Sequence, residues 1–272
     1  MRLFIVIAVL LMSISPMLAG GITQCDSLKQ HRIWLRPFGN LTQNDTAISS
    51  EVNFFSYGLT LGIDRQIGKN WLCGFAIGTS KTSAKISPLA YRDDINAFHT
   101  SMFVRRTFDR FFVDVEGNFG YNEHSIQRKA TQWGLTSEAG FWWKRGLGRV
   151  EPYVRFSHIY WEGTGNDTKE TLIAGVRYSW RTGTGLTTTV PRFYGGVIQE
   201  LGNKSLFPVA VFADTPTVFP VQNTEVDGTR FFLGGGFTTS FGTTLDISLR
   251  YTAEVSSRCA SHTVFFGVNC NF

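Results

Sequence analysis

Residues 261–272, which read SHTVFFGVNCNF, form the stretch of sequence that decides the fold. Every second residue from Val264 to Phe272 is apolar, and the positions between them are mostly small or polar. Successive side chains of a β-strand point to opposite faces, so a period of two predicts a strand with one apolar face. This segment therefore predicts a strand that separates two different environments.

The opposite end of the sequence has the pattern of a secretory signal peptide. Residues 1–21 contain one positive charge at Arg2, an apolar run over residues 3–12, and small residues at Ala19 and Gly21. The apolar run is too short to cross a bilayer as a helix. The sequence predicts export with cleavage after residue 21, a short periplasmic or lumenal segment over 22–29, and one domain over 30–272.

The composition fits a membrane barrel. Only 17% of the 272 residues are charged, and aromatic residues reach 14%, with 24 phenylalanines. No run after residue 12 approaches the roughly 20 apolar residues that a membrane helix needs. The aromatic excess fits a barrel with lipid-facing Phe and with Trp and Tyr at the membrane interfaces.

The net charge of +5 does not indicate a nucleic-acid-binding protein. The basic residues are scattered singly, and the signal peptide exports the chain. A mild positive excess fits contact with outer-membrane lipids and with the phosphates of lipopolysaccharide. We therefore expect these partners and no nucleic acid.

The four cysteines, Cys25, Cys73, Cys259 and Cys270, lack the paired spacing of a metal site. An exported protein can form disulfides, and four cysteines allow three pairings between which the sequence does not choose. We predict no metal-binding residues and no cofactor.

After residue 29 the sequence divides into thirteen alternating segments of about ten residues, the length of a transmembrane strand. Long connections are predicted at 40–53, 82–93, 123–130, 162–169 and 255–260, and tight turns such as 68–70 alternate with them. A bacterial barrel has an even number of strands, so one segment must lie outside it. Pro208, Pro216 and Pro220 favour a surface excursion over residues 202–228, because proline cannot donate to a strand ladder. The prediction is an all-β fold, a closed antiparallel transmembrane barrel of about twelve strands.

Charged residues inside these segments fall on the face opposite the apolar one. A charge facing lipid costs about 2–4 kcal/mol at the membrane midplane, so these charges are predicted to face the lumen. Both signs occur, which allows them to pair across the lumen. The predicted lumen charges are Arg36, Asp64, Arg105, Asp114, Glu116, Glu138, Glu151, Arg155, Arg177, Arg192, Asp246 and Arg250.

The order of several short motifs resembles the β-domain of classical autotransporters, the twelve-stranded translocator of type V secretion. The first strand reads IWLRPFG over 33–39, and the next hairpin reads YGLTLGID followed by NWLCGFAIG. Further matches are Glu-Pro-Tyr at 151–153, FLGGGF at 232–237 and the closing strand. Each motif is short, but together they extend over roughly 30–272. The resemblance implies an outer-membrane barrel with protein-translocating activity.

The closing strand also resembles the terminal signature of bacterial outer-membrane barrels, which ends on a C-terminal Phe. That resemblance implies a signal recognised by the barrel assembly machinery, with periplasmic chaperones as further partners. The residues that would carry this assembly signal are Val264, Phe266, Val268 and Phe272. We expect the barrel to be monomeric.

Only residues 22–29 separate the predicted cleavage site from the first strand, which leaves no room for a passenger domain. We therefore expect a small pore or a surface-exposed envelope protein, without catalytic residues. The alternative is a hydrolase, either a protease or a lipid-modifying enzyme, with its site at the barrel rim. Its candidate residues are Asp93, Asp94, His124, His158 and the adjacent Ser157.

Overall fold

The computed structural model describes residues 31–272 apart from 46–50, 88–90, 126–128, 147, 163–166, 184–185, 202–208, 212–217, 221–227 and 258. The predicted signal peptide, segment 22–29 and Cys25 lie outside the described residues. Among those described, no helix has the length and hydropathy of a membrane span. The strands are β1 (His31–Asp45), β2 (Glu51–Ile67), β3 (Trp71–Ser87), β4 (Tyr91–Phe108), β5 (Phe111–His124), β6 (Lys129–Phe141), β7 (Trp143–Arg145), β8 (Gly148–Glu162), β9 (Asp167–Trp180), β10 (Thr187–Glu200), β11 (Val209–Val211), β12 (Val218–Pro220), β13 (Thr229–Phe241), β14 (Leu245–Val255) and β15 (Cys259–Asn271).

Twelve antiparallel strands close into a barrel. Each pairs with its neighbours along the chain, and β1 pairs with both β2 and β15, which closes the sheet. The short β7 continues the line of β6 after a break at Trp142, and both pair with β8. The predicted fold class, a closed antiparallel barrel of about twelve strands, is confirmed.

The described parts of the region 202–228 do not enter the barrel wall. β10 pairs directly with β13 from Thr187↔Phe241 to Gln199↔Thr229, which leaves no place between them for a further strand. β11 and β12 form a separate two-stranded sheet in which Pro220 is opposite Val209. Pro208 and Pro216, which also favoured a surface excursion, lie outside the described residues.

The tight turns lie on one side of the barrel, together with the first residue of β1 and the last residue of β15. We call this side the turn end. Gly68, Gly146 and Gly242 occupy these turns with φ of 63°, 61° and 61°, a conformation that glycine adopts without strain. At this end the backbone N–H of Phe272 donates to the carbonyl of His31 at 3.1 Å. The first and last strands are therefore joined at the turn end.

At the opposite end, the loop end, several strands are longer than predicted. β1 continues to Asp45, β3 continues to Ser87 and β4 begins at Tyr91. The long connections predicted at 40–53 and 82–93 are therefore largely strand, and that prediction was wrong. The backbone pairing of these strands continues beyond the band of apolar residues on the outer wall. A change from apolar to polar side chains ends the sequence pattern there, but it does not interrupt the pairing.

The two faces of the wall differ in chemistry. The outward face carries exposed apolar residues around the whole barrel, for example Ile63 at 54% exposure, Phe111 at 59% and Phe193 at 56%. The inward face carries buried polar and charged residues, as the strict alternation along β5 illustrates. This inverted arrangement is the one expected of a barrel in lipid, where the apolar face points away from the lumen.

Candidate functional site in the barrel lumen

The lumen contains the charged residues that the alternating pattern selects. Of the twelve predicted lumen charges, eleven are buried at 8% exposure or less, and Asp246 is half-buried near the turn end. Burial of this many ionisable groups requires pairing, because an unpaired charge in a low-dielectric interior carries a large desolvation cost. The pairing pattern divides the lumen into several groups.

Glu138 is the centre of the largest group. Its carboxylate accepts hydrogen bonds from Arg155 at 2.5 Å and from Arg177 at 2.8 Å, and all three side chains are almost fully buried. Glu138 lies directly opposite Arg155 in the β6–β8 ladder, so the strand register brings the pair together. The guanidinium of Arg177 also lies 3.6 Å from the ring centre of Tyr153, a cation–π geometry.

Two further carboxylates extend this group across the wall. Glu151 accepts from Arg177 at 2.9 Å and from Arg149 at 2.5 Å. Asp114 forms a two-pronged pair with Arg105, its cross-strand neighbour in the β4–β5 ladder. We call the set of Arg105, Asp114, Glu138, Arg149, Glu151, Arg155 and Arg177 the mid-lumen network. Its residues come from β4, β5, β6, β8 and β9, and the Arg105–Asp114 pair is linked to the others through charge interactions with Glu138 and Arg177.

Arg32 and Arg36 lie next to the barrel seam on β1. Arg32 donates to Asp64 at 2.7 Å, whereas Arg36 lies over the ring of Trp34 at 3.6 Å. Glu116 on β5 is 1% exposed and lies beside Ser101. Its carboxylate oxygens form no hydrogen bond with an arginine of the mid-lumen network, so Glu116 is not part of that network.

A second ionic group lies toward the loop end, and the sequence analysis missed it. Lys169 donates to Glu200 at 2.6 Å, Arg230 donates to Glu200 at 3.2 Å, and Arg230 lies 3.4 Å from Glu254. We call these four residues the outer cluster. Glu200 and Arg230 flank the excursion at 202–228, so the cluster holds its two ends together. Lys169 and Arg177 are separated by an even number of residues on β9, so their side chains face the same side of the wall. This spacing could have identified Lys169 from the sequence.

Between the two ionic groups lies an apolar layer. Ile159, Ile173, Ile198 and Phe232 are buried at 4% exposure or less and belong to one hydrophobic cluster. Ile173 is opposite Ile198 in the β9–β10 ladder. Side chains of the lumen thus form a packed interior along the β8–β13 wall, which resembles a protein core more than a water-filled channel.

The candidate hydrolase residues do not converge. His158 lies on the outward face, where its ring is tilted against that of Trp133 and its Nδ1 lies 3.2 Å from Glu170. Ser157 points into the lumen and bonds to Thr136, because neighbours in a strand face opposite sides. Asp94 lies near Lys81, at 3.9 Å, three strands from β8. Three strand spacings are roughly 14 Å, too far for a shared reacting atom.

Two other rim residues are placed separately. His124 lies opposite Ile95 at the loop end of β5. The side chain of Asp93 lies outside the described residues. The described residues contain no group of three or more His, Cys, Asp or Glu side chains that could hold a metal ion. Cys73, Cys259 and Cys270 form no disulfide with one another.

The residues of the predicted assembly signal lie on the outward face of the last strand. Phe272 is 66% exposed and stacks on His31, with ring centres 6.1 Å apart. Val264, Phe266 and Val268 share its parity, whereas Phe265 between them is 3% exposed and faces the lumen. These four residues therefore form an apolar row on the outward face of β15, pointing away from the lumen.

Comparisons with known proteins agree with this architecture. A sequence model described as "Autotransporter beta-domain" matches residues 33–252. The β-domain of the Bordetella autotransporter BrkA superimposes with a TM-score of 0.71 at 15% identity, covering 89% of this chain and 100% of that one. The translocator domain of NalP from Neisseria meningitidis gives 0.69 at 15% identity, covering 89% of each chain.

The transport unit of AIDA-I from Escherichia coli gives a TM-score of 0.63 at 9% identity, covering 93% of each chain. At such identities the likeness establishes the fold alone. A comparison with curated protein sequences found no match.

Proposed function

We propose, from the premise that the chain belongs to the autotransporter β-domain family, that it is a non-enzymatic translocator-type barrel whose lumen forms a small pore, largely closed at rest. Membership implies the bacterial outer membrane. In this orientation the turn end is periplasmic and the loop end is extracellular. Cleavage of residues 1–21 is part of the proposal.

The mid-lumen network is the observation that carries this proposal. Its side chains come from five neighbouring strands of the wall, β4, β5, β6, β8 and β9. They exclude solvent, with Arg155 at 1% exposure and Arg177 at 2%. An open diffusion pore would leave its lining charges hydrated. The apolar layer adds to the barrier, because a hydrophobic constriction disfavours the passage of water and ions.

Conductance of the refolded full chain in planar lipid bilayers tests the pore proposal. We expect rare and small current steps, because the network must rearrange before ions pass. Large, steady steps of the kind that open porins give would contradict the proposal. Recovery of the protein from the soluble periplasmic fraction would contradict the membrane location itself.

The proposal includes a monomeric barrel in contact with outer-membrane lipids and lipopolysaccharide, inserted by the barrel assembly machinery with the help of periplasmic chaperones. The apolar row of β15 supports recognition by that machinery, since it lies on the outward face and ends at the exposed Phe272. Burial of a Phe side chain is worth only about 1.5–3 kcal/mol, too little for one residue to decide the folding of a closed twelve-stranded sheet.

Deletion of Phe272 tests whether this residue acts in the assembly of the barrel rather than in its stability. We expect the deletion to reduce the amount of barrel in the outer membrane severely. Phe265→Ala, which truncates a buried lumen residue of the same strand, should lower stability but assemble better. Normal outer-membrane levels of the truncated chain, measured by heat-modifiable gel migration, would refute the assembly signal.

A further inference from the structure

Four basic residues are exposed on two adjacent hairpins at the turn end. Arg65 and Lys69 belong to the β2–β3 hairpin, and Arg106 and Arg110 belong to the β4–β5 hairpin. Asp109 is the only acidic residue in the two segments 65–71 and 106–111. None of the four basic residues is part of an ion pair with a carboxylate in the described part of the chain. We call these four residues the turn-end basic patch.

Arg106 is held on the outward face by two aromatic rings. Its guanidinium carbon lies 4.8 Å from the ring centre of Trp71 and 4.6 Å from that of Phe108. Trp71 is opposite Arg106 in the β3–β4 ladder, and Phe108 is two residues further along β4, so all three side chains share one face. Cation–π contact positions a guanidinium without neutralising its charge. The N–H groups of Arg106 are therefore positioned to bind an anion at the outer surface.

The turn-end basic patch begins where the outward apolar band ends. On β2, Arg65 is the next outward residue after Ile63, and on β4, Arg106 is the next after Val104. The exposed aromatic residues at this edge of the band are Trp71, Phe108, Phe111, Phe141 and Trp143. Aromatic residues form girdles at the membrane interfaces of barrels, and long basic side chains beside them extend to the lipid headgroups. The patch therefore lies at the level of the headgroups.

The opposite edge of the same part of the wall has a different charge pattern. At the loop end, Lys81 lies 3.9 Å from Asp94, and Glu123 is opposite Lys129 in the β5–β6 ladder. Charges of both signs are thus neighbours on the outward face there. The turn end of these strands carries an excess of positive charge instead. Basic residues at a membrane surface attract anionic lipids.

We propose that the turn-end basic patch binds the headgroup of an anionic phospholipid, with its phosphate on Arg106. Guanidinium groups bind phosphate oxygens through paired hydrogen bonds, and the acyl chains would lie along the apolar face that includes Val104 and Met102. The aromatic rings beside Arg106 favour a lipid over an acidic protein, because they lie at the edge of the apolar band. The inference rests on the proposed function, which places the outward face in the membrane and the turn end in the periplasm. It adds the class of lipid and the leaflet that this surface selects.

Native mass spectrometry of the refolded full chain, released from detergent micelles, measures the binding directly. Phosphatidylglycerol and phosphatidylcholine with identical acyl chains would be added in equal amounts. Both lipids contain a phosphate, but only phosphatidylglycerol has a net negative charge. We expect the adducts with phosphatidylglycerol to exceed those with phosphatidylcholine several-fold. Equal occupancy by the two lipids would overturn the proposal.

Matched variants locate the binding on the wall. Arg65→Gln with Arg106→Gln should lower phosphatidylglycerol occupancy by about fivefold for each arginine removed. Lys81→Gln with Lys85→Gln removes the same charge from the outward face at the loop end and should retain the preference. Heat-modifiable gel migration would show that both variants are folded. Equal losses in the two variants would mean that binding follows the overall charge, and would also overturn the proposal.

The lipid measurement is independent of the pore measurement. A wild-type barrel that prefers phosphatidylglycerol but gives large, steady current steps would contradict the closed pore alone. A barrel that conducts rarely and shows no preference between the lipids would contradict the lipid site alone.

Discussion

The wall formed by β4 to β9 and the wall formed by β10, β13 to β15 and β1 both bury arginines, but the side chains around those arginines differ. In the mid-lumen network each carboxylate bonds to one or two guanidinium groups, with Glu138 bonded to both Arg155 and Arg177. On the second wall Arg192 on β10 and Arg250 on β14 lie on either side of β13, which presents Gly236 to the lumen. The first wall is therefore held by ion pairs between strands, whereas on the second wall a glycine leaves room for a long arginine side chain.

The largest expected effect comes from breaking the ion pairs of the first wall. Glu138→Gln leaves Arg155 and Arg177 buried without their shared carboxylate. Loss of one partner of a buried ion pair costs about 3–5 kcal/mol, so the unfolding temperature of the refolded barrel should fall by several degrees. Asp94→Asn, which removes an outward carboxylate 3.9 Å from Lys81, is the control and should change it little. Equal effects of the two variants would show that the network does not stabilise the closed lumen.

A smaller effect is expected from filling the space beside Arg250 on the second wall. Gly236→Ala places a methyl group against the Leu249 carbonyl and Arg250, and overpacking of this kind costs about 1–3 kcal/mol. Gly117→Ala on β5 is the matched control, since no atom lies within 4 Å of the Cβ position there. Thermal melts of the two variants should differ in the sign or size of the shift. If Gly236→Ala is as well tolerated as Gly117→Ala, the arginine side chains do not depend on this glycine.

The smallest effect is expected at Arg250. Arg250→Gln removes a guanidinium on which the like charges of Arg192 and Arg36 act, so we expect unfolding stability to stay within about 1 kcal/mol of wild type. The same type of substitution at Arg155 should destabilise the barrel, because it strips Glu138 of a partner. Chemical denaturation of both variants in detergent provides the comparison. Similar losses at the two sites would remove the distinction between the walls.

The sequence predicted the barrel and the list of charges inside it, because a period of two separates the faces and lipid does not tolerate charge. It did not predict which charges pair. Glu138 meets Arg155, and Glu151 meets Arg177, only through the register of the β6–β8 and β8–β9 ladders. Register depends on the pairing of distant strands, and no local pattern contains it.

The outer cluster was missed for a different reason. Lys169 lies before the segment that the sequence assigned to β9, in a stretch interpreted as a connection, although the strand begins at Asp167. At the loop end the strands extend beyond the band of outward apolar residues. The alternating pattern that predicts a strand is therefore missing from this part of the sequence. The break at Trp142 between β6 and β7 was missed as well, because alternation continues on both sides of it.

Single-channel conductance of Glu138→Gln beside wild type and Asp94→Asn is the most direct test of the claim that the mid-lumen network closes the pore. Refolded full-length proteins would be compared at equal protein and salt concentrations in planar bilayers. The account predicts rare, small steps for wild type and Asp94→Asn, and more frequent or larger steps for Glu138→Gln. Steady, large steps from wild type, or no difference between Glu138→Gln and Asp94→Asn, would contradict it.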